Sequence, residues 1–149
     1  MGRICGFDSR IGSDMTRNLK KVIERSLEMA GLKSGDIDLL ITYGGEKKTE
    51  KAEIEVIEEL FGDNTDKVSI TNSKHILGHC LGASSIMDIV LGIMCMKNST
   101  VFTMGSGSKF GNKMDKSCVT DKAVRKEIKY FLTYSISYSG VVSAIIIGR

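Results

Sequence analysis

The sequence predicts an α/β fold: one mixed five-stranded sheet with helices on its faces, in the order β-α-β-α-β-α-β-β. Short apolar runs of strand length alternate with longer stretches whose apolar residues recur at helical spacing. The chain then closes on two strand-like runs, 130–137 and 141–147, joined by a turn near Ser139-Gly140. With 149 residues, no proline and no repeat or low-complexity tract, residues 1–149 read as a single domain.

The elements follow in order. Residues 3–7 (RICGF) suit a short strand. Asp14 caps a helix whose apolar positions Met15, Leu19, Val22, Ile23, Leu27 and Ala30 keep a 3.6-residue period, and Gly31 closes it. Residues 37–42 (IDLLIT) are a compact buried strand ended by Gly44-Gly45. A second helix opens at Thr49 or Glu50, carries Ala52, Val56, Ile57, Leu60 and Phe61 near one face, and stops at Gly62. Residues 68–71 form a third strand. The stretch 78–96 (GHCLGASSIMDIVLGIMCM) then reads as a helix apolar on all sides. It is nearly long enough to cross a bilayer, but His79, Ser84, Ser85 and Asp88 interrupt it, so a buried helix is expected instead. Residues 100–103 form a strand or extended segment, and 105–122 a long polar surface loop. The alternation makes the sheet mostly parallel, and the terminal hairpin makes it mixed.

Composition excludes several classes. Hydrophobic residues make up 42% of the chain and charged residues 26%, as in globular proteins and unlike disordered or fibrous ones. The net charge of +3 is spread along the chain, with its lysine pairs near acids, which argues against a nucleic-acid groove. Cys5, Cys80, Cys95 and Cys118 are far apart, and only His75 and His79 could join them, so neither a metal site nor a disulfide framework is expected. No signal-peptide pattern stands at the start, and reduced thiols in a cytoplasmic protein are the expectation. No cofactor is implied.

Residues 72–83 (NSKHILGHCLGA) are the most informative segment. They leave the C-terminal end of a predicted strand and run into a helix, where open α/β sheets build ligand sites. An ammonium from Lys74 and an imidazole from His79 could stabilise an oxyanion there. A Lys and a His near a helix start also form ordinary surface pairs, and spacing alone leaves both readings open.

The order KxxxGHxxGA from Lys74 to Ala83 resembles the TKSxxGHxxGAAG motif of the β-ketoacyl-acyl-carrier-protein synthases, the thiolase-fold ketosynthases. Glu50-Lys51-Ala52-Glu53 and Leu60-Phe61-Gly62 resemble that family's DxxE and FG at a matching distance. Residues 30–37 resemble the stretch leading to its HGTxT loop. The likeness runs from about Gly6 to Gly148 and covers only the family's C-terminal half, so a thiolase-like half domain is implied. It implies that Lys74 and His79 form the catalytic pair, that Glu53 supports Lys74 as a neighbouring carboxylate, and that Tyr43 stands where a second histidine belongs. A tyrosine, with a pKa of about 10, is a poor base at neutral pH. The gating loop GFGGxN becomes Ser137, Tyr138, Ser139 and Gly140 followed by two valines, which puts substrate access in question.

The resemblance thus implies a transferase of fatty acid or polyketide biosynthesis: a subunit of a split, heteromeric condensing enzyme that is not active alone. The family's nucleophilic Cys lies in its N-terminal half, and none of the four cysteines matches it; Cys80 reads as a buried structural thiol beside His79. A partner polypeptide carrying the Cys-bearing half is expected, with Met1 close to where a C-terminal half would begin. An acyl carrier protein or acyl thioester is the other expected partner, and neither nucleic acid nor membrane is. The alternative is a non-catalytic chain-length-factor-like or scaffold subunit.

Overall fold

A computed structural model of the chain describes residues 2–45, 47–64, 67–104, 117, 119 and 122–149. The elements are β1 (Arg3–Ile11), α1 (Met15–Ala30), β2 (Leu39–Ile41), α2 (Lys47–Phe61), β3 (Ser69–Thr71), α3 (Lys74–Leu77), α4 (Ser84–Asn98), β4 (Thr100–Val101), β5 (Val124–Arg125), β6 (Tyr130–Ile136) and β7 (Val141–Gly148). Five strands form one sheet in the order β1-β7-β6-β2-β3, and β4 pairs with β5 apart from it.

The mixed five-stranded sheet is as expected; its balance is not. β2 pairs parallel with β3 and β6, whereas β7 pairs antiparallel with β6 and β1. The first strand joins the terminal hairpin instead of the parallel core, so half of the pairings are antiparallel. β1 also runs four residues beyond the expected 3–7. Its second half is polar because it lies at the sheet edge, where Ser9 and Ser143 share a hydroxyl hydrogen bond of 2.8 Å and Arg10 pairs with Asp8 at 3.1 Å.

α1 begins where Asp14 accepts a hydrogen bond from the Arg17 N–H at 3.0 Å, and it ends at Gly31. α1 and α2 cover one face of the sheet. Leu19, Val22, Ile23, Val56, Ile57 and Phe61 pack there on Leu40, Ile70, Leu132, Val142, Ala144 and Ile146, all buried. α4 covers only the β2–β6 half of the other face, through Cys95, Met96 and Ile89 against Leu39, Ile41 and Phe131. Gly92 permits this: a Cβ there would come within 2.3 Å of the Phe131 ring.

The apolar stretch departs from its expected form in two ways. Its helix starts at Ser84, not Gly78; Lys74 lies on the short α3, and a turn carrying His79 intervenes. Residues Leu81–Asn98 are long and apolar enough to cross a membrane by length and composition, yet only 28% of them are buried in the chain. α4 rests on one sheet, so its far side, with Ile86, Val90, Ile93 and Met94, is exposed. Beside it, the β1–β7 half of the same face is an open apolar groove of about 380 Å³ that includes Ile4, Phe7 and Ile145.

The expected surface loop returns to the core at its far end: Ser117 and Val119 are buried, and the Val119 N–H donates to the Ile70 carbonyl at 2.9 Å. Residues 105–116, 118, 120 and 121, Cys118 among them, lie outside the described residues.

Candidate functional site

Adjacent parallel strands deliver two loops side by side at the C-terminal edge of the sheet, where such folds place ligands. β2 leads into Thr42, Tyr43 and Gly44; β3 leads into Asn72, Ser73 and Lys74. Asn72, buried, ties the loops together. Its amide donates to the Thr42 carbonyl and hydroxyl, both at 3.2 Å, and its Oδ1 accepts the Lys74 N–H at 2.8 Å. Gly44 has φ +55° and lies against that amide, with room for a Cβ only 1.5 Å from Asn72 Nδ2, so only glycine fits.

Lys74 Nζ donates to the Tyr43 carbonyl and lies 4.2 Å from the centroid of the Tyr43 ring. The Tyr43 ring meets His79 edge-on at 6.2 Å between centroids. His79 is exposed, and its Nδ1 accepts the Leu81 N–H at 3.0 Å. In the neutral imidazole that hydrogen bond leaves the proton on Nε2, which becomes the donor.

Glu53 does not sit against Lys74 as expected. It is fully buried beneath the Tyr43–Gly44 turn, where its Oε1 accepts the Gly44 N–H at 3.1 Å and the Tyr134 hydroxyl at 2.7 Å. Its Oε2 is enclosed without a hydrogen bond among the described residues. Burial pushes the Glu53 carboxyl above its ordinary value of 4.5, against the pull of Tyr134, Gly44 and the Lys74 charge. Burial also holds the Lys74 ammonium below its ordinary 10.5, although Asp88 and Glu53 attract it. The carboxylates therefore offset the desolvation of Lys74 only in part.

Of the two carboxylates that attract Lys74, Asp88 of α4 does so more than Glu53. It is buried, accepts the Ser73 hydroxyl on Oδ1 and is raised by burial against the pull of Ser73 and Lys74. Sequence reasoning treated Asp88 only as an interruption of an apolar helix. It is the single acid between Gly78 and Met96, and a lone charge in such a stretch calls for a partner. Tyr134, fully buried in β6, was also missed.

Tyr43, Lys74, His79, Ser84, Asp88 and Tyr134 line a cavity of about 360 Å³. The turn expected to control access closes between β6 and β7 through a Gly140 N–H to Ser137 carbonyl bond of 3.1 Å and a Ser137–Ser139 hydroxyl contact of 2.7 Å. Ser137 and Tyr138 line this cavity and also one of about 680 Å³ beyond the turn, which Ser139 and Gly140 line too. Cys80 is half-exposed on the turn before α4, with Sγ 3.8 Å from the Leu77 and Gly78 carbonyls, so it is neither helical nor buried as expected. Among the described residues no group of three His, Cys, Asp or Glu could hold a metal ion.

A mixed five-stranded sheet with helices on its faces is the fold of the thiolase-fold ketosynthases. The family described as β-ketoacyl synthase, C-terminal domain, matches residues 6–106, and the chain belongs to it. The 3-oxoacyl-[acyl-carrier-protein] synthase 2 of Rhizobium meliloti (strain 1021) is 22% identical over 87% of this chain and 31% of its own length. A putative polyketide β-ketoacyl synthase 1 of Streptomyces halstedii is 23% identical over 93% of this chain and 32% of its own length. The chain thus spans about a third of these relatives. Among solved structures, a type II PKS acyl-carrier protein in complex with its ketosynthase (AntDE:AntF), bound to the hexaketide, superposes with a TM-score of 0.89. That match has 17% identity and covers 99% of this chain and 38% of that one. The ishigamide ketosynthase/chain length factor superposes with a TM-score of 0.87 at 19% identity, covering 98% of this chain and 37% of that one.

Proposed function

We propose that this chain contributes half of a condensing-enzyme active site, with Lys74 and His79 as its reacting groups and the acyl-bearing cysteine on a partner polypeptide. One observation carries the reading: Lys74, His79 and Asp88 converge on one cavity, and among the described residues its lining contains no cysteine. Claisen condensation on carrier-bound acyl chains needs a thiolate to hold the acyl group and donors for the oxyanion of the attacking enolate. The His79 Nε2–H and the Lys74 ammonium suit the second task. The partner is the family's Cys-bearing N-terminal half, and an acyl carrier protein or acyl thioester delivers the substrate.

The exposed side of α4 and the open groove that Ser85 and Ile89 of α4 help to line suit such a partner, because both present apolar side chains. An obligate interface there would bury on the order of 2,000 Å² or more. The test is reconstitution with a Cys-bearing ketosynthase half, followed by Lys74→Ala and His79→Ala. Each substitution is expected to lower condensation about 100-fold or more. Undiminished condensation in both variants would overturn the catalytic role, and failure of the two chains to co-purify would overturn the partner.

Tyr43 favours a second reading, a non-catalytic subunit similar in role to a chain length factor, because a phenol replaces the base expected at that position. In that case the substitutions leave turnover intact and change product length.

A further inference from the structure

The N–H that Glu53 binds and the carbonyl that Lys74 binds belong to one peptide group, the one joining Tyr43 to Gly44. The hydrogen bonds therefore run in an unbroken series: Tyr134 hydroxyl to Glu53 Oε1, Gly44 N–H to the same oxygen, and Lys74 Nζ to the Tyr43 carbonyl at the other end of that peptide. A carboxylate at the N–H and an ammonium at the C=O polarise the peptide in the same sense, so each strengthens the other. We propose that Tyr134 is a positioning residue for Lys74, acting through Glu53 and the Tyr43–Gly44 peptide. The inference rests on the role proposed above for Lys74.

Tyr134 lines the same cavity as Lys74, and its hydroxyl bonds to Glu53. Its hydroxyl fixes the orientation of a carboxyl that is otherwise enclosed by α2 and the sheet, and it favours the charged form of that carboxyl. A charged Glu53 in turn favours the charged form of Lys74. The other groups around Lys74 are Asp88 from α4, Cys80 from the following turn, and the Tyr43 ring beneath it, with His79 beyond that ring. Asp88 acts on Lys74 without passing through Glu53, so the two routes can be separated.

The readout is the pH dependence of Lys74 acetylation in the full chain, followed residue by residue in the mass spectrometer against exposed Lys97. Tyr134→Phe removes one hydroxyl from a packed ring and nothing else. It is expected to leave more of Lys74 as free amine, labelling it about two- to threefold faster at a given pH. Glu53→Gln is expected to do the same or more, and Tyr134→Phe to add nothing in that background. Asp88→Asn is expected to add its effect to either. Tyr134→3-fluorotyrosine, a stronger donor, should move the curve the opposite way, which keeps the test open even if the Phe variant folds poorly. An unchanged Lys74 curve in Tyr134→Phe overturns the inference, as does an equal shift with and without Glu53. If the curves shift as expected while Lys74→Ala leaves condensation intact in the reconstituted complex, the relay stands and the proposed function fails. If condensation falls in Tyr134→Phe with the Lys74 curve unmoved, the reverse holds.

Discussion

The two faces of the sheet are built from similar residues and finished differently. Under α1 and α2 the apolar side chains meet in one closed core, and Glu53, which has no exposed surface, is held there by Gly44 and Tyr134. On the other face α4 covers β2 and β6, while the β1–β7 half stays open. An amphipathic helix suffices where there is one surface to cover. α4 is apolar all round, the pattern of a helix packed on more than one side. Among the described residues the α1–α2 face is closed, and the β1–β7 half of the α4 face is left open.

The sharpest way to break this contrast is to remove a large side chain from the closed face. Phe61 is fully buried among Val56, Ile57 and their partners. Phe61→Ala should cost about 3–5 kcal/mol in denaturant unfolding of the free chain, and a loss below about 1 kcal/mol would mean that this core is not tightly packed.

A smaller effect comes from the carboxyl inside the closed face. The folded pKa of Glu53 lies above 4.5, so the folded chain keeps that proton where the unfolded chain has released it. Its contribution is therefore fully present below about pH 4.5 and is lost as pH rises through the raised value. Glu53→Gln should flatten the decline of the unfolding midpoint between pH 4.5 and neutrality. Parallel curves for parent and variant would show that the burial of Glu53 carries no such cost.

The smallest effect is expected on the open face. Val90 is 44% exposed on α4, and Val90→Ser should change the stability of the free chain by no more than about 0.5 kcal/mol. The same variant should weaken association with the Cys-bearing half in sedimentation or pull-down measurements. Equal losses from Val90→Ser and Phe61→Ala in the free chain would erase the distinction between the faces.

Much of this was legible in the residues, and the exceptions have physical causes. α1 could be read to the residue because Asp14 and Gly31 mark its ends chemically. β1 was read short because an edge strand tolerates Asp8, Ser9 and Arg10, which hide its period. The start of α4 was misplaced because residues 78–83 are as apolar as the helix they precede, and only backbone geometry separates them. At the site, motif order was enough to bring Lys74, His79, Tyr43 and Glu53 into one neighbourhood. It could not say that Glu53 reaches Lys74 through a peptide bond, because that depends on the path of the Tyr43–Gly44 turn. Tyr134 gave no signal at all: within residues 130–136 (YFLTYSI) it looks like one more strand aromatic.

Arg3 and Gly148 are paired across β1 and β7, so these two residues lie one strand-spacing apart, about 5 Å. A linker of a few residues could join them into a ring at little entropic cost. New termini could then be opened at an exposed turn, and the order of strands around the site would be unchanged. In this fold the point at which such a ring is opened and the position of the chemistry are independent choices.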